Sequence, residues 1–410
     1  MIERTIEKEV IKSIKNRPVV LITGARQVGK STLCFKLKRE LGFNYVSLDD
    51  LRLREQAKSD PELFLETHKW PLIIDEVQNA PGLFDAIEAI VNKEKLENGS
   101  NYGMYVLTSS QSYELMQDVS QSLSGRVGII SMCPLSLREI NNSDEKVFSY
   151  NILELAQRSN YFDYNSDILF EYITRGMYPE LYANKELDTE FFYSSYLSTY
   201  IERDVSKIIN IRDKLKFQYF MQLLASMTGQ ELVYETIARS VGVTIETIKS
   251  WISVLLAGDI IYLLKPYNEL SFVKRIVKRP KLYFCDTGLA CYLANLSNPE
   301  SLKNSIFKGR FVETFIVNEL KKSFRNNNKR ENFFYYRDNN QNEIDLIILE
   351  NATLHLIECK SGIKFTKSDI KAFKQLHSSS YQVGTSFVIC NTSSVYKIDE
   401  NVYAIPISLI

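Results

Sequence analysis

The sequence is short of the residues that build disulfide frameworks and zinc sites. Its six cysteines, Cys34, Cys133, Cys285, Cys291, Cys359 and Cys390, never stand in CxxC spacing, and its three histidines lie far apart. Neither a disulfide scaffold nor a zinc centre is indicated. It also lacks an excess of either charge, with 50 Lys plus Arg against 50 Asp plus Glu. No global field draws it to nucleic acid or anionic lipid, so any such binding rests on a local patch. No apolar run approaches the ~18 residues that a membrane helix needs, and the opening MIERTIEKEV has no apolar core of a secretory signal. These absences lead to the expectation of a cytoplasmic protein with reduced thiols and no membrane partner. The 410 residues, 45% of them apolar, suffice for about three domains with sizeable cores.

The first informative stretch is PVVLITGARQVGKSTLCFKLKREL, beginning at Pro18. An apolar strand, Val19 to Ile22, runs into Gly24-Ala25-Arg26-Gln27-Val28-Gly29-Lys30-Ser31-Thr32, after which Leu33, Leu37 and Leu41 recur at helical spacing. Strand, glycine loop and helix in that order make a polyphosphate cradle. The glycines let the backbone curl so that its N–H groups face the anion, Lys30 neutralises the outer phosphates, and the Ser31 hydroxyl ligates Mg2+ with Thr32 beside it. A second apolar strand ends in Asp75-Glu76. At the carboxyl end of a parallel strand, Asp75 can hold the magnesium and Glu76 can polarise the attacking water. The ligands expected are therefore ATP and Mg2+.

A third strand, Met104 to Leu107, ends in Thr108-Ser109-Ser110-Gln111. Ser110 is the candidate sensor of the terminal phosphate, with Thr108 and Gln111 as alternatives. Arg126, just before the strand Val127 to Ser131, is a candidate for stabilising transition-state charge on a neighbouring subunit's nucleotide, which implies a homo-oligomer. The competing reading is a surface arginine that caps its helix.

The series LITGARQVGKST, LIIDEVQ, VLTSSQS, LSGRV and PLSLREI resembles the AAA-type ATPases of an archaeal and bacterial group that carry a C-terminal module of unknown function. The phrases YITRGMYPELY, YLSTYIERDV, FCDTGLACYL and GRFVETFIVNEL are similar to that group's lid and C-terminal module. Arg203 matches a motif of the group without an assignable role. From about Leu135 to Val205 the chain turns helical and aromatic, as a lid over the nucleotide would. Its aromatics, with no basic residues between them, suit helix packing better than base stacking.

Beyond the lid, GQELVYETIARSVGVTIETIKSWISVLLAGDIIYLLKPY has the order of a winged helix, with Thr244 capping the second helix and Ile248, Trp251, Ile252 and Leu255 as its buried stripe. That helix exposes Glu246, Lys249 and Ser250, poor equipment for reading DNA. The cluster Lys274, Arg275, Lys278, Arg279 and Lys281 near the expected wing is better suited to a phosphate backbone, or is a solvated face.

In NEIDLIILENATLHLIECKSG, from Asn342 to Gly362, charges interrupt two strand-like runs. A two-residue loop at Asn351-Ala352 pairs Glu350 with Thr353 and sets Asp345 opposite Glu358, with Lys360 on the same face as Glu358. Like charges facing across a ladder call for a cation. Lys360 would serve, and a divalent metal would serve better. Around the helix from Gly309, at about 100° per residue, Glu313 falls among Val317, Leu320 and Phe324, an acid on an apolar face. This order resembles PD-(D/E)xK nucleases, a resemblance that implies Asp345 and Glu358 as Mg2+ ligands, Lys360 as the residue orienting water, and Glu313 assisting from the helix. A charge cluster kept for docking or signalling is the alternative.

The expectation is an α/β protein. Residues 1–134 form a P-loop AAA-type ATPase core on a parallel sheet, 135–212 a helical lid, 213–280 a winged helix, and 281–410 a restriction-endonuclease-like domain. Nucleic acid, DNA in preference to RNA, is the expected partner, with a protein-binding signalling switch and a non-cleaving DNA-binding ATPase as alternatives.

Overall fold

A computed structural model describes residues 2–110, 122–158, 166–201, 205, 214–267, 279–376 and 379–410. Gln111, Arg203, Lys274, Arg275 and Lys278 lie outside the described residues. The chain forms two compact units. One comprises Met1–Leu135 with Ala257–Asp259 and Arg325–Asn328; the other comprises Ser136–Leu256, Ile260–Phe324 and Lys329–Ile410.

The first unit is built on a five-stranded sheet: β1 (Val19–Thr23), β2 (Asn44–Ser47), β3 (Leu72–Asp75), β4 (Tyr105–Ser109) and β5 (Val127–Ser131). Its order is β2-β3-β4-β1-β5, and all four pairings are parallel. β1, β3 and β4 are buried along their whole length, which explains why they are continuous apolar runs rather than alternating ones. Residues such as Leu21, Ile74 and Leu107 pack with Phe84 and Ile87 of the helix Leu83–Asn98 in one core. The register aligns Thr23 with Ser109 and Ser131, and Ser47 with Asp75. The carboxyl ends of all five strands thus open onto one edge.

The second unit begins with short helices, including Ser166–Arg175 and Thr189–Tyr200. The aromatics of the latter pack inward: Phe192, Tyr193 and Tyr196 are buried and their rings meet Tyr178. Asp286 accepts the N–H of Leu289 and caps the helix Thr287–Leu293, while also accepting the Met177 N–H and the Tyr193 hydroxyl. Burial pushes its carboxyl up, against the pull of those donors.

A ten-stranded sheet follows: β6 (Gln230–Glu231), β7 (Ile261–Pro266), β8 (Lys281–Phe284), β9 (Phe333–Arg337), β10 (Glu343–Glu350), β11 (Thr353–Cys359), β12 (Gln382–Val383), β13 (Ser386–Cys390), β14 (Tyr396–Asp399) and β15 (Val402–Pro406). Its order is β14-β15-β13-β11-β10-β9-β7-β8-β6, with β12 on β11. The three strands β6, β7 and β8 pair antiparallel around the helices Tyr234–Val241 and Ile245–Ala257, which cross at 104°. Thr244 accepts the Thr247 N–H and starts the second of these helices. β7 also pairs in parallel with β9, so one continuous sheet runs through the stretches read from sequence as two domains.

Between Thr366 and Leu376 the regular structure is the 3-10 segment Lys371–Leu376. One sequence-based expectation changes here. The helix Lys308–Arg325 is not polar on its second side, because Thr314 and Asn318 are as buried as Val317 and Leu320. Thr314 shares a hydrogen bond with Thr228, and Asn318 bonds Tyr262 and the Phe284 carbonyl. The helix is a core element whose polar residues find internal partners. Among the described residues no single helix is long and apolar enough to cross a membrane.

Candidate functional site

The loop after β1 lies at the carboxyl edge of the first sheet. Gly24 has φ 142°, and a Cβ there would stand 2.2 Å from the Met132 carbonyl oxygen, so only glycine lets the chain turn against β5. Gly29, at φ 99°, precedes the helix Lys30–Leu41. Between them Ala25 and Val28 are buried, Arg26 is half-buried and Gln27 is exposed at φ 61°. Arg4, which sequence reasoning passed over, donates to the Val28 and Cys133 carbonyls at 2.6 Å each and ties the loop to the strand behind it.

Lys30 is buried, and its ammonium donates to the Gly24 and Ala25 carbonyls at 2.8 Å. Burial lowers its pKa, against the opposing pull of Glu76 and Asp75. Ser31 donates to Asp75 Oδ2 at 2.9 Å. Tyr45 donates to the same oxygen at 2.8 Å, and Thr108 donates to Oδ1. Burial, followed by the Asp75 charge, raises the Tyr45 phenol. Three hydroxyls from three elements therefore fix one carboxylate. Thr32 is exposed in the first turn of the helix.

Glu76 follows in a left-handed conformation, φ 57°, with its N–H on Thr108 Oγ1 at 3.0 Å. Its carboxylate accepts from Ser110 at 2.9 Å and from the Gln78 amide. Ser110, one of three candidates in the sequence, thus touches the glutamate, whereas Thr108 touches the aspartate. The hydroxyl of Ser31 and the carboxylate of Asp75 are hard oxygen donors side by side, which fits Mg2+. Arg126 stands apart from this chain's own loop. It precedes β5, whose Val127 is level with Val19 at the opposite end of β1, and it pairs with Glu88 at 3.1 Å and Asn92 at 2.7 Å.

The second constellation lies in the larger sheet. β10 and β11 pair with Glu350 opposite Thr353 and Leu346 opposite Ile357, so the next rung brings Asp345 and Glu358 together. Asp345 accepts the Cys359 N–H at 2.9 Å, and Lys360 donates to Glu358 at 2.6 Å. Burial, then Asp345, raises Glu358; Lys360 is raised because Glu358 and Asp345 outweigh its own desolvation. Against β9 the strand carries a bulge, since Ile344 pairs with Tyr336 and Ile347 with Phe334. The extra residue turns Ile344 and Ile347 into the same core.

The compensating cation is a residue read from sequence as part of a basic surface cluster. Lys281 is 1% exposed, and its ammonium lies 2.9 Å from Glu313, 2.5 Å from Glu343 and 3.8 Å from Asp345. Its own desolvation would lower its pKa, but Glu313, Asp345 and Glu343 carry it upward. Glu313 also accepts the Tyr283 hydroxyl at 2.6 Å. Burial, opposed by Lys281 and reinforced by Asp345, pushes its carboxyl up to about 7. An ammonium thus lies between Glu313 and Asp345, two of the three acids that the sequence offers as metal ligands. Among the described residues no group of three or more His, Cys, Asp or Glu side chains is arranged to hold a metal.

Residues 16–141 match the family described as an AAA domain. With the loop and strand order above, that makes the first unit a P-loop ATPase domain of the AAA type. Residues 166–300 match one domain of unknown function, DUF8612, and residues 308–410 another, DUF4143. Relatives include an uncharacterized protein of Mycobacterium tuberculosis, 25% identical over 341 residues that cover 82% of this chain and 69% of that one. An uncharacterized protein of Methanocaldococcus jannaschii is 24% identical over 311 residues, 68% of this chain and 63% of its own. Among solved structures, a Walker-type ATPase of Pyrococcus abyssi aligns over 72% of this chain and 96% of its own at 14% identity and TM-score 0.38. RuvB of Thermotoga maritima aligns over 63% and 88% at 15% identity and TM-score 0.26.

Proposed function

We propose that the chain binds ATP with Mg2+ between Gly24 and Thr32 and hydrolyses it. The observation that carries this is the convergence at one sheet edge of Ser31 on Asp75 and of Ser110 on Glu76. In the reaction Lys30 exchanges the Gly24 and Ala25 carbonyls for the β- and γ-phosphate oxygens. Ser31 and Asp75 are the residues that would hold the magnesium, whose chemistry is to neutralise charge on those phosphates. Glu76, oriented by Ser110 and Gln78, takes the proton of the attacking water. Glu76→Gln should keep ATP binding while turnover falls by roughly 10²-fold or more. Unchanged turnover in that variant would remove Glu76 from the chemistry.

The second unit supports a finer reading. The helices Tyr234–Val241 and Ile245–Ala257 with β6, β7 and β8 have the order of a winged helix, and the hairpin β10–β11 with its acids has that of a restriction-endonuclease-like core. On this reading ATP turnover is coupled to holding nucleic acid, DNA in preference to RNA, through the basic residues Lys274, Arg275 and Lys278 of the sequence. DNA should then stimulate ATP hydrolysis, and reversing those three charges should abolish the stimulation and its salt dependence. The exposed Glu246, Lys249 and Ser250 of the second helix favour one competing reading, a switch that binds a protein partner. ATP turnover indifferent to DNA and RNA would select it.

A further inference from the structure

We infer that Lys281 is a built-in cation of the acidic cluster, placed where a divalent metal would otherwise bridge Glu313 and Asp345, and that the second unit therefore works without a metal at this position. This rests on the cluster's geometry and not on the reading of the ATP site.

The ammonium is 2.9 Å from Glu313, 2.5 Å from Glu343 and 3.8 Å from Asp345, and the residue is 1% exposed. A buried carboxylate is costly until a partner neutralises it, and an ammonium hydrogen-bonded to Glu313, 2.5 Å from Glu343 and within ion-pair distance of Asp345 does so as directly as an ion. The second cation of the cluster, Lys360, is 2.6 Å from Glu358. Each of the four acids thus has a lysine within ion-pair or coulombic reach. A divalent ion entering between Glu313 and Asp345 would first have to displace Lys281 from three partners and leave it buried without them, which is unfavourable. The lysine also ties elements together. It belongs to β8, Glu313 to the helix Lys308–Arg325, and Glu343 and Asp345 to β10, so one side chain fastens the β6–β8 sheet to the acid-bearing hairpin. Metal-assisted phosphodiester cleavage through a divalent ion shared by Glu313 and Asp345 is accordingly not the chemistry of that pair.

The test is titration of the nucleotide-free full chain with Mn2+, followed by the electron paramagnetic resonance signal of the free ion. Asp345→Asn and, separately, Glu358→Gln serve to mark any binding that belongs to the cluster. The parent and both marker variants should give superimposable curves. Lys281→Gln should add one Mn2+ per chain, bound at least tenfold more tightly than anything the cluster of the parent binds, and lost again when Asp345→Asn is combined with it. A parent Mn2+ site that Asp345→Asn or Glu358→Gln removes would overturn the inference. So would a cooperatively melting Lys281→Gln chain that gains no site. If Lys281→Gln does not fold, the comparison of the parent with the two marker variants decides alone.

Discussion

Asp75 is held from three directions, and the hydroxyl least visible in sequence is that of Tyr45, thirty residues upstream on β2. The P-loop pattern announces Ser31 and the run of polar residues that closes β4 announces Thr108, but nothing local links a strand tyrosine to the carboxylate. The link exists because β2 and β3 pair in parallel with Ser47 level with Asp75. Tyr45→Phe should lower kcat by roughly tenfold or less, the worth of one hydrogen bond of about 1 kcal/mol, and should shift the Mg2+ concentration giving half-maximal turnover. An unchanged Mg2+ dependence would show that Tyr45 only packs. Glu313 gives a pH signature. Its folded pKa of about 7 exceeds the ordinary glutamate value, so the fold prefers the protonated form. Its contribution to stability is full below about pH 4.5 and is lost as pH rises towards 7. Glu313→Gln stays neutral throughout, so its stability relative to the parent should improve between pH 5 and pH 8, as read from urea midpoints. A relative stability that falls over that range would contradict the assignment.

At the scale of elements, the hairpin β10–β11 was legible because its turn is short. Asn351 and Ala352 have φ of 48° and 61°, the two-residue turn whose length sets the register and with it the rung of Asp345 and Glu358. An alanine in that conformation is strained, by about 1 kcal/mol relative to glycine. Ala352→Gly should therefore raise stability by about 0.5–1 kcal/mol in chemical denaturation with no change in register; a loss of stability would mean that the turn is set otherwise. The first unit was legible for a related reason: strand, glycine loop and helix adjoin in sequence, and Gly24 and Gly29 mark the bends. What the sequence hid is long-range. Lys281 looked like the end of a basic run because its neighbours Lys274, Arg275, Lys278 and Arg279 are basic, while its partners Glu313 and Asp345 lie 32 and 64 residues away. The helix Lys308–Arg325 looked amphipathic because Thr314 and Asn318 are polar, and only tertiary packing shows them bonded inside the core. The bulge between Ile344 and Ile347 likewise leaves no local signature.

For the whole molecule, the parallel pairing of β7 with β9 matters most, since it makes one sheet of stretches that composition alone separates. β8 is joined to β10 both through the hydrogen-bonded strands between them and through Lys281. The most direct measurement is ATP binding and hydrolysis by the purified full chain beside its Lys30→Ala variant. The account predicts Mg2+-dependent turnover in the parent and loss of turnover, with weakened binding, in the variant. A parent that neither binds nor hydrolyses ATP, or a variant indistinguishable from it, would contradict the account.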